Sequence, residues 1–290
     1  MKILAIPASW PLRRPVIASG VLLALLVVGN LRAAPPPIPS GPLDLVSGYV
    51  GAGDSVYSLH SSPGGSRSAN AFTLGGHGVF SLDPVYSLQF DANYSRLSPG
   101  GGLPGSNEYS LDAHLTYKID DIPVGAFLGY DKNGPSTLGG GLEGTLPTKF
   151  DWTPKSLSPA GDPLFNWQAF YARTHGTRLN HYGGATELRL YPCDDSRVSL
   201  NVDYQHTSSK FGAFKFSDNI WSFGVAFGYL LPQMWLLQAG YEHTHFGTSK
   251  LNVDGYSLSL HYCFGKKSKI RDIEVPYRDF SHLLGVQTKF

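Results

Sequence analysis

Residues 85–97 have the sequence VYSLQFDANYSRL, and this stretch decides the fold. Its side chains alternate between two faces, as successive side chains of a β-strand do. The apolar face carries Tyr86, Leu88, Phe90, Ala92 and Tyr94. The opposite face carries Ser87, Gln89, Asp91, Asn93 and Ser95. This period of two predicts a strand with one apolar side.

The same alternation returns in residues 109–117, 221–229 and 256–264, each with aromatic residues at the ends of its apolar face. In a strand, eight residue steps such as Tyr86 to Tyr94 span about 26 Å, which a tilt of about 40° reduces to roughly 20 Å of height. That height is close to the apolar band of an outer-membrane barrel. The repeated segments therefore predict strands that cross a bilayer.

Aromatic side chains at these ends fit the lipid interfaces, which favour Tyr and Trp. The residues that we assign to the interfaces are Tyr86, Tyr94, Tyr109, Tyr117, Tyr130, Tyr204, Trp221, Tyr229, Trp235, Tyr241, Tyr256 and Tyr262. No segment after residue 33 is apolar enough for a spanning helix, so the strands must close on themselves. The sequence predicts an all-β, transmembrane, antiparallel up-and-down β-barrel.

We count ten strands within residues 44–264. Their expected ranges are 44–52, 71–82, 85–97, 107–118, 122–131, 181–191, 197–206, 219–230, 234–245 and 253–264. Residues 132–180 are expected to form a long extracellular loop, because residues 148–163 look too irregular to cross lipid. Alternating apolar residues in 164–172 leave a second possibility, in which a further hairpin raises the count to twelve. Short turns alternate with longer Gly-, Ser- and Pro-rich connections, which predicts short periplasmic turns, long outer loops and both termini in the periplasm.

The two ends of the chain are expected to lie outside the barrel. Residues 1–33 carry a basic region and an apolar run from Val16 to Gly29, which predicts a cleaved signal peptide. Residues 34–43 form a Pro-rich periplasmic lead. Residues 265–290, the C-terminal segment, are either an extension in the periplasm or lumen or a closing strand. Cys193 and Cys263 are expected on different parts of the wall, which argues against a disulfide.

The charge balance argues against nucleic-acid binding. Loss of residues 1–33 lowers the count of Lys and Arg from 23 to 19, against 22 Asp and Glu. A single short basic cluster, Lys266, Lys267, Lys269 and Arg271, stands out, and it is typical of a solvated turn. We expect no nucleic-acid partner.

The polar faces of the strands predict the contents of the lumen. The charged residues assigned to it are Asp91, Asp112, His114, Lys118, Glu187, Arg189, Asp203, Glu242 and His261. In so narrow a barrel they form either a hydrogen-bonded core or the lining of a small water-filled path. We expect no cofactor and assign no metal site, because His243 and His245 share a face but lack a third ligand.

An enzymatic barrel is a further alternative. Asp112 and His114 share a strand face, and Asp91 is expected at a similar height, so an Asp–His pair could activate water or a serine. That height is in the middle of the membrane, whereas an enzyme acting on surface substrates needs its groups at the outer rim. The rim candidates are Glu242, His243 and His245 and, on the long loop, His175 and His181, without a matching serine. We therefore expect a non-enzymatic protein.

The signal segment, the Pro-rich lead and the run Gly75-Gly76-His77-Gly78-Val79-Phe80 before Asp83-Pro84 resemble the outer-membrane β-barrel proteins of Gram-negative envelopes, especially alphaproteobacterial ones. The resemblance is architectural and covers residues 44–264. It implies an outer-membrane location in contact with lipid, delivery by periplasmic chaperones and insertion by the barrel-assembly machinery.

Three functions are compatible with this architecture. We expect a narrow porin-like channel for small polar solutes. The first alternative is a structural or surface-interaction barrel with a closed lumen, which acts through the 132–180 loop and its aromatic residues Trp152, Phe165, Trp167 and Tyr171. The second alternative is an outer-membrane hydrolase.

Overall fold

Twelve antiparallel strands form a closed barrel in the computed structural model of the chain. Each strand pairs with its neighbours in sequence, and the last strand pairs with the first. The structure describes residues 44–61, 66–100, 105–119, 122–147, 157–177, 179–211, 214–265, 269–273, 277 and 283–284. The predicted signal peptide and Pro-rich lead lie outside these residues. The predicted barrel fold is confirmed.

The strands are long and follow one another around the wall. Their bounds are β1 Asp44–Ser61, β2 Ser66–Ser81, β3 Tyr86–Pro99, β4 Ser106–Ile119, β5 Ile122–Asn133, β6 Ser136–Pro147, β7 Leu164–Thr174, β8 Leu179–Cys193, β9 Ser196–Phe211, β10 Phe214–Leu231, β11 Trp235–Phe246 and β12 Leu251–Gly265. A 3-10 turn, Pro232–Met234, joins β10 to β11. A four-residue helix, α1, spans Ile270–Ile273. Within the described residues, no helix has the length and apolar character needed to cross a membrane.

Side chains alternate between the outer surface and the interior of the barrel. On β4, Leu111 is 59% exposed, whereas Asp112 is 5% and His114 0% exposed. Apolar side chains thus face outward and polar ones face inward, which reverses the arrangement of a soluble protein. This reversal is stable where the surrounding solvent is lipid.

The expected count of ten strands is wrong, and the alternative of twelve is confirmed. Residues 132–180 are not one long loop, because they contain β6 and β7. β6 ends and β7 begins at the end of the barrel where β1 begins and β12 ends, which we call the terminal end. Of the residues between them, which look too irregular to cross lipid, the structure describes 157–163, and these form no strand.

The expected contrast between short turns and long outer loops is also wrong. At the opposite end, which we call the far end, the strand bounds leave connections as short as residues 134–135 and 212–213. Stretches such as 53–61 lack apolar alternation but continue β1, since a sheet ladder is held by backbone hydrogen bonds. Polar side chains there do not prevent strand pairing.

The C-terminal segment does not close the barrel as a strand in the residues that are described. β12 already pairs with β1 from Ser47 opposite Gly265 to Ser61 opposite Leu251. Cys193 is exposed and Cys263 is buried, and no disulfide joins them. Both cysteines lie near the terminal end, as expected.

Apolar clusters lie inside both ends of the barrel. The far-end cluster comprises Tyr57, Ala69, Ala71, Leu97, Ile220, Phe246 and Val253. The terminal cluster comprises Tyr191, Leu230, Leu236, Cys263 and Ile270. Between these two clusters the interior is mainly polar.

Candidate functional site in the barrel lumen

A chain of acidic and imidazole side chains runs through the interior of the barrel from β2 to β6. His114 lies at its centre, with Nδ1 2.9 Å from Glu143 Oε2 and Nε2 3.1 Å from Asp91 Oδ2. His77 extends the chain, with Nδ1 3.2 Å from Asp91 Oδ1. Acidic groups and imidazoles therefore alternate. Since a buried charge is costly without a partner, this alternation is what makes their burial tolerable.

Strand register brings these groups together. Asp91 and Asp112 are directly paired positions on β3 and β4, and each is 5% exposed. His114 follows Asp112 by two residues and therefore points to the same side. Glu143 comes from β6, and Gln168 of β7 donates from Nε2 to Glu143 Oε2 at 3.2 Å. With His77 from β2, five strands thus hold one polar cluster.

A cavity of about 350 Å³ lies beside this cluster. Part of its lining is small, with Gly51, Gly53 and Ser257 among the residues from β1 and β12. These residues fill little of the interior, so they leave space on their side of the lumen. Other lining residues are charged. Among them, Arg189 donates from Nε and Nη2 to Glu187 Oε2, at 2.9 and 2.7 Å.

Tyr277 of the C-terminal segment lies inside the barrel and is 3% exposed. Its ring stacks on that of His114, and its backbone carbonyl accepts a hydrogen bond from Gln89 Nε2 at 3.3 Å. Its hydroxyl donates to the Pro123 carbonyl at 3.4 Å. Burial raises the pKa of the Tyr277 phenol, because the phenolate would lose its hydration. Tyr277 therefore sits in the lumen as a neutral group.

Leu283 and Leu284 bring a second part of the C-terminal segment into the interior. They are 4% and 0% exposed. The apolar residues packed with them in one cluster are Phe127, Phe170, Ala172 and Ala185. Those four side chains point inward from β5, β7 and β8. Without the two leucines they would face water in the lumen. The two leucines thus cover an apolar patch of the inner wall.

The helix α1 contributes to the terminal cluster. Ile270 is 1% exposed, and its backbone nitrogen donates to the Asp194 carbonyl at 3.1 Å. Lys269 Nζ lies 3.0 Å from Asp194 Oδ2, and Arg271 lies over the ring of Tyr191 at 5.8 Å. Lys269 and Arg271 of the basic cluster expected to be a solvated turn therefore attach the C-terminal segment to β8 and the turn after it. Lys266 and Lys267 lie outside the described residues.

The structure brings most of the predicted lumen residues into the interior. Asp91, Glu187, Arg189, Glu242 and His261 line the cavity. Asp112 and His114 are buried behind Asp91, and Asp203 is half-buried on the inward face of β9. Lys118 differs, since it is exposed at the terminal end of β4, where the lumen opens.

The twelve predicted interface aromatics all have outward positions on their strands, half-buried or exposed. Several form cross-strand pairs, such as Tyr86 with Tyr117, whose ring centroids are 4.9 Å apart. Nearer the far end, tyrosine hydroxyls donate to a polar side chain on the next strand. The four pairs are Tyr94–Asn107, Tyr171–Asn180, Tyr204–Asn219 and Tyr241–Asp254.

These four acceptors share a sequence signal that we did not use. Each stands two residues before an outward aromatic, in the segments 107–109, 180–182, 219–221 and 254–256. The common pattern is Asn or Asp, any residue, then Tyr or Trp. It marks where an outer strand face changes from apolar to polar.

Other interior residues were missed. Glu143 lay in the expected loop, so its inward position on β6 was hidden. His77 follows Thr73 and Gly75 on one face of β2, where glycines obscure the alternation. Arg197 and Asp203 lie on the same face of β9, because an even number of positions separates them. The inward assignment of Asp203 therefore predicts an inward Arg197. Tyr277 carries no periodic signal.

Comparison with known proteins supports the architecture. No protein-family model matches the sequence, and a search of curated proteins gives no match. Among solved structures, an outer-membrane channel of the COG4313 group from Pseudomonas putida F1 is 12% identical, with 80% of this chain and 100% of that chain covered and a TM-score of 0.56.

Two further structures are also similar. The translocator domain of the autotransporter NalP from Neisseria meningitidis is 12% identical, with 85% and 98% coverage and a TM-score of 0.44. The KdgM porin is 9% identical, with 73% and 99% coverage and a TM-score of 0.42. At such identities a likeness concerns the fold alone. The chain has the architecture of an outer-membrane β-barrel protein.

Proposed function

We propose that this protein is a non-enzymatic outer-membrane barrel that forms a narrow, porin-like passage for small polar solutes. The observation that carries the proposal is the cavity of about 350 Å³ in the lumen. Its lining includes Glu187, Arg189, Arg197 and Glu242, which favour water and polar solutes over apolar ones.

The C-terminal segment supports a narrow passage. Leu283 and Leu284 pack against residues of β5, β7 and β8, and Tyr277 stacks on His114 of β4. The cavity is lined by residues of β1–β4 and β8–β12, and Tyr277 forms part of that lining. A solute that crosses the barrel would pass beside this segment or displace it. The segment therefore limits the size of what can cross.

The arrangement around His114 supports a non-enzymatic role. The ring is 0% exposed, and both nitrogens lie within 3.1 Å of carboxylate oxygens. A general base must reach the proton that it abstracts, directly or through one water molecule. The buried imidazole has no such access to a substrate in the cavity.

Conductance of the refolded full-length protein in planar bilayers tests the passage. We expect discrete current steps. Replacing Ser257, which lines the cavity, by Trp should roughly halve the step size by narrowing the bore. The matched control is Leu258→Trp, which places the same ring on the outer surface of the same strand. An absence of steps at any voltage, or equal steps in Ser257→Trp, would contradict the proposal.

A structural barrel with a closed lumen is the second candidate. It is favoured by the terminal cluster, in which Ile270 of α1 and Tyr191 are each 1% exposed. It predicts no current steps from the full-length protein or from a variant that lacks residues 269–290. The version of this alternative that relied on a 132–180 loop is not retained, because that region forms β6 and β7.

The proposal includes export and membrane insertion. Residues 1–33 would act as the signal peptide, and residues 34–43 as a periplasmic lead. Delivery would involve periplasmic chaperones and the barrel-assembly machinery, and the outward aromatic residues would contact outer-membrane lipid. Fractionation of cells that express the full chain, followed by N-terminal sequencing of the membrane form, tests this part. We expect the protein in the outer membrane and a start near residue 34.

A further inference from the structure

We propose that Asp91, Asp112 and His114 bind a divalent metal ion of the zinc type inside the barrel wall, next to the cavity. One ligand atom from each residue lies within 4.8 Å of the others, and all three side chains are buried. This inference is independent of solute passage.

The register creates a local excess of negative charge. Asp91 and Asp112 are directly paired across β3 and β4, where opposed side chains lie about 5 Å apart. Two buried carboxylates in such positions repel each other and require positive charge nearby. The imidazoles of His77 and His114 lie on Asp91, and a bound cation would add positive charge between the two aspartates.

His114 is oriented as a metal ligand. Its Nδ1 faces both oxygens of Glu143, at 3.0 and 2.9 Å, and Gln168 in turn donates to Glu143. A carboxylate that accepts from one imidazole nitrogen fixes the tautomer and leaves the other nitrogen to the metal. Glu143 is 0% exposed, so this outer support is built into the core.

The remaining nitrogen of His114 faces Asp91. His114 Nε2 lies 3.1 Å from Asp91 Oδ2, yet it makes no hydrogen bond of acceptable geometry to any described residue. In a tetrahedral zinc site with bonds of about 2.0 Å, neighbouring ligand atoms lie about 3.3 Å apart. The observed separation of 3.1 Å is close to that spacing.

The donor set selects the kind of ion. Ca²⁺ takes six to eight oxygen ligands, and Mg²⁺ keeps several waters in octahedral geometry. One imidazole and two carboxylates suit Zn²⁺ and similar transition ions. Asp91 also lines the cavity, which gives an ion a route of entry from the lumen.

Titration of the refolded full-length protein with ZnCl₂, followed by calorimetry, tests the site. We expect one ion per chain and at least a tenfold loss of affinity in Asp112→Asn. The control is the double variant His243→Ala and His245→Ala, which removes two imidazoles from the outer surface and should bind as the wild type does. Co²⁺ should give the visible absorption bands of a tetrahedral site in the wild type.

Several results would overturn the proposal. These are no stoichiometric Zn²⁺ binding by the wild type, unchanged affinity in Asp112→Asn, or loss of binding in the surface double variant. If Asp112→Asn does not fold, Glu143→Gln is the variant that tests the site. Glutamine keeps the shape of the Glu143 side chain, which supports His114, and removes its charge. We expect at least a tenfold loss of affinity for Zn²⁺ in that variant. An affinity equal to that of the wild type would exclude His114 as a metal ligand oriented by Glu143.

Discussion

The rings of His114 and Tyr277 are stacked, with their planes 8° apart and their centroids separated by 6.1 Å. His114 belongs to β4 and Tyr277 to the C-terminal segment, so this contact joins the charged cluster of the wall to the segment inside the lumen. Gln89 strengthens the connection, since its Nε2 donates both to Asp91 Oδ2 and to the Tyr277 carbonyl. The position of the C-terminal segment and the geometry of the charged cluster are therefore coupled.

Tyr277→Ala should widen the passage. Truncation of a buried aromatic side chain costs about 3–5 kcal/mol. In this variant the loss weakens the packing of the C-terminal segment inside the barrel. We expect larger current steps than in the wild type, measured in planar bilayers at one salt concentration. Tyr277→Phe keeps the ring on His114 and should change the steps little. Equal steps in Tyr277→Ala and the wild type would show that the segment does not limit the passage.

Leu284→Ala should loosen the same segment at its second attachment. Leu284 is 0% exposed, and such truncations cost about 2–5 kcal/mol. We expect faster proteolysis of the C-terminal segment in the folded barrel, followed by mass spectrometry. Leu157→Ala is the matched control, because Leu157 is 51% exposed in the connection between β6 and β7. If both variants are cleaved at the wild-type rate, Leu284 does not hold the segment.

The sequence predicted the membrane-facing strands well because lipid imposes a strict pattern on them. Tyr86 to Tyr94 and Trp221 to Tyr229 alternate without interruption, so β3 and β10 were located from this alternation alone. Aromatic residues at both ends of each apolar face then fixed the height of the barrel. In these segments the local pattern and the fold agree.

The hairpin of β6 and β7 was harder to predict, because glycines that allow close packing of the strands interrupt the apolar alternation. Gly139, Gly140 and Gly141 look like a loop, but at Gly141 an added Cβ would collide with the Ala169 carbonyl of β7. Glycine is needed there for close approach, which sequence patterning alone does not reveal. Glu143 lies two residues further on, and its inward position was not predicted because β6 itself was not predicted. Tyr277 and Leu284 were missed for another reason, since their burial depends wholly on tertiary contacts.

Glu187→Gln should change the ion selectivity of the passage. The Glu187 carboxylate lies 2.7 Å from Arg189 Nη2 in the cavity lining, so its loss leaves extra positive charge beside the path. We expect the reversal potential in a KCl gradient to shift toward anion preference. Removing one partner of a buried pair also costs about 3–5 kcal/mol of stability.

A charge-neutral variant provides the control for this change. Glu187→Gln combined with Arg189→Met removes both charges and keeps similar volumes, so it should restore much of the stability and return the selectivity toward the wild type. An unchanged reversal potential in Glu187→Gln would indicate that ions do not pass this pair.

Phe90→Arg tests whether the outer surface of the barrel faces lipid. Phe90 is 45% exposed on β3, midway between the aromatic residues Tyr86 and Tyr94. An arginine in the middle of the apolar band of a barrel costs about 2–4 kcal/mol, because its charge must be stripped of water or drawn to an interface. We expect that loss in the free energy of unfolding, measured by denaturant titration of the protein folded into lipid vesicles.

Ser98→Arg separates a lipid effect from a general effect of arginine on the strand. Ser98 lies on the same face of β3, beyond Tyr94, where Arg96 is already exposed. Near the interface the cost falls to about 0–1 kcal/mol, since the guanidinium reaches water and headgroups. If the two substitutions destabilised the protein equally in vesicles, the cost of an arginine on the outer face of β3 would not depend on its depth in a bilayer. The assignment of Tyr86 and Tyr94 to the two interfaces would then be wrong.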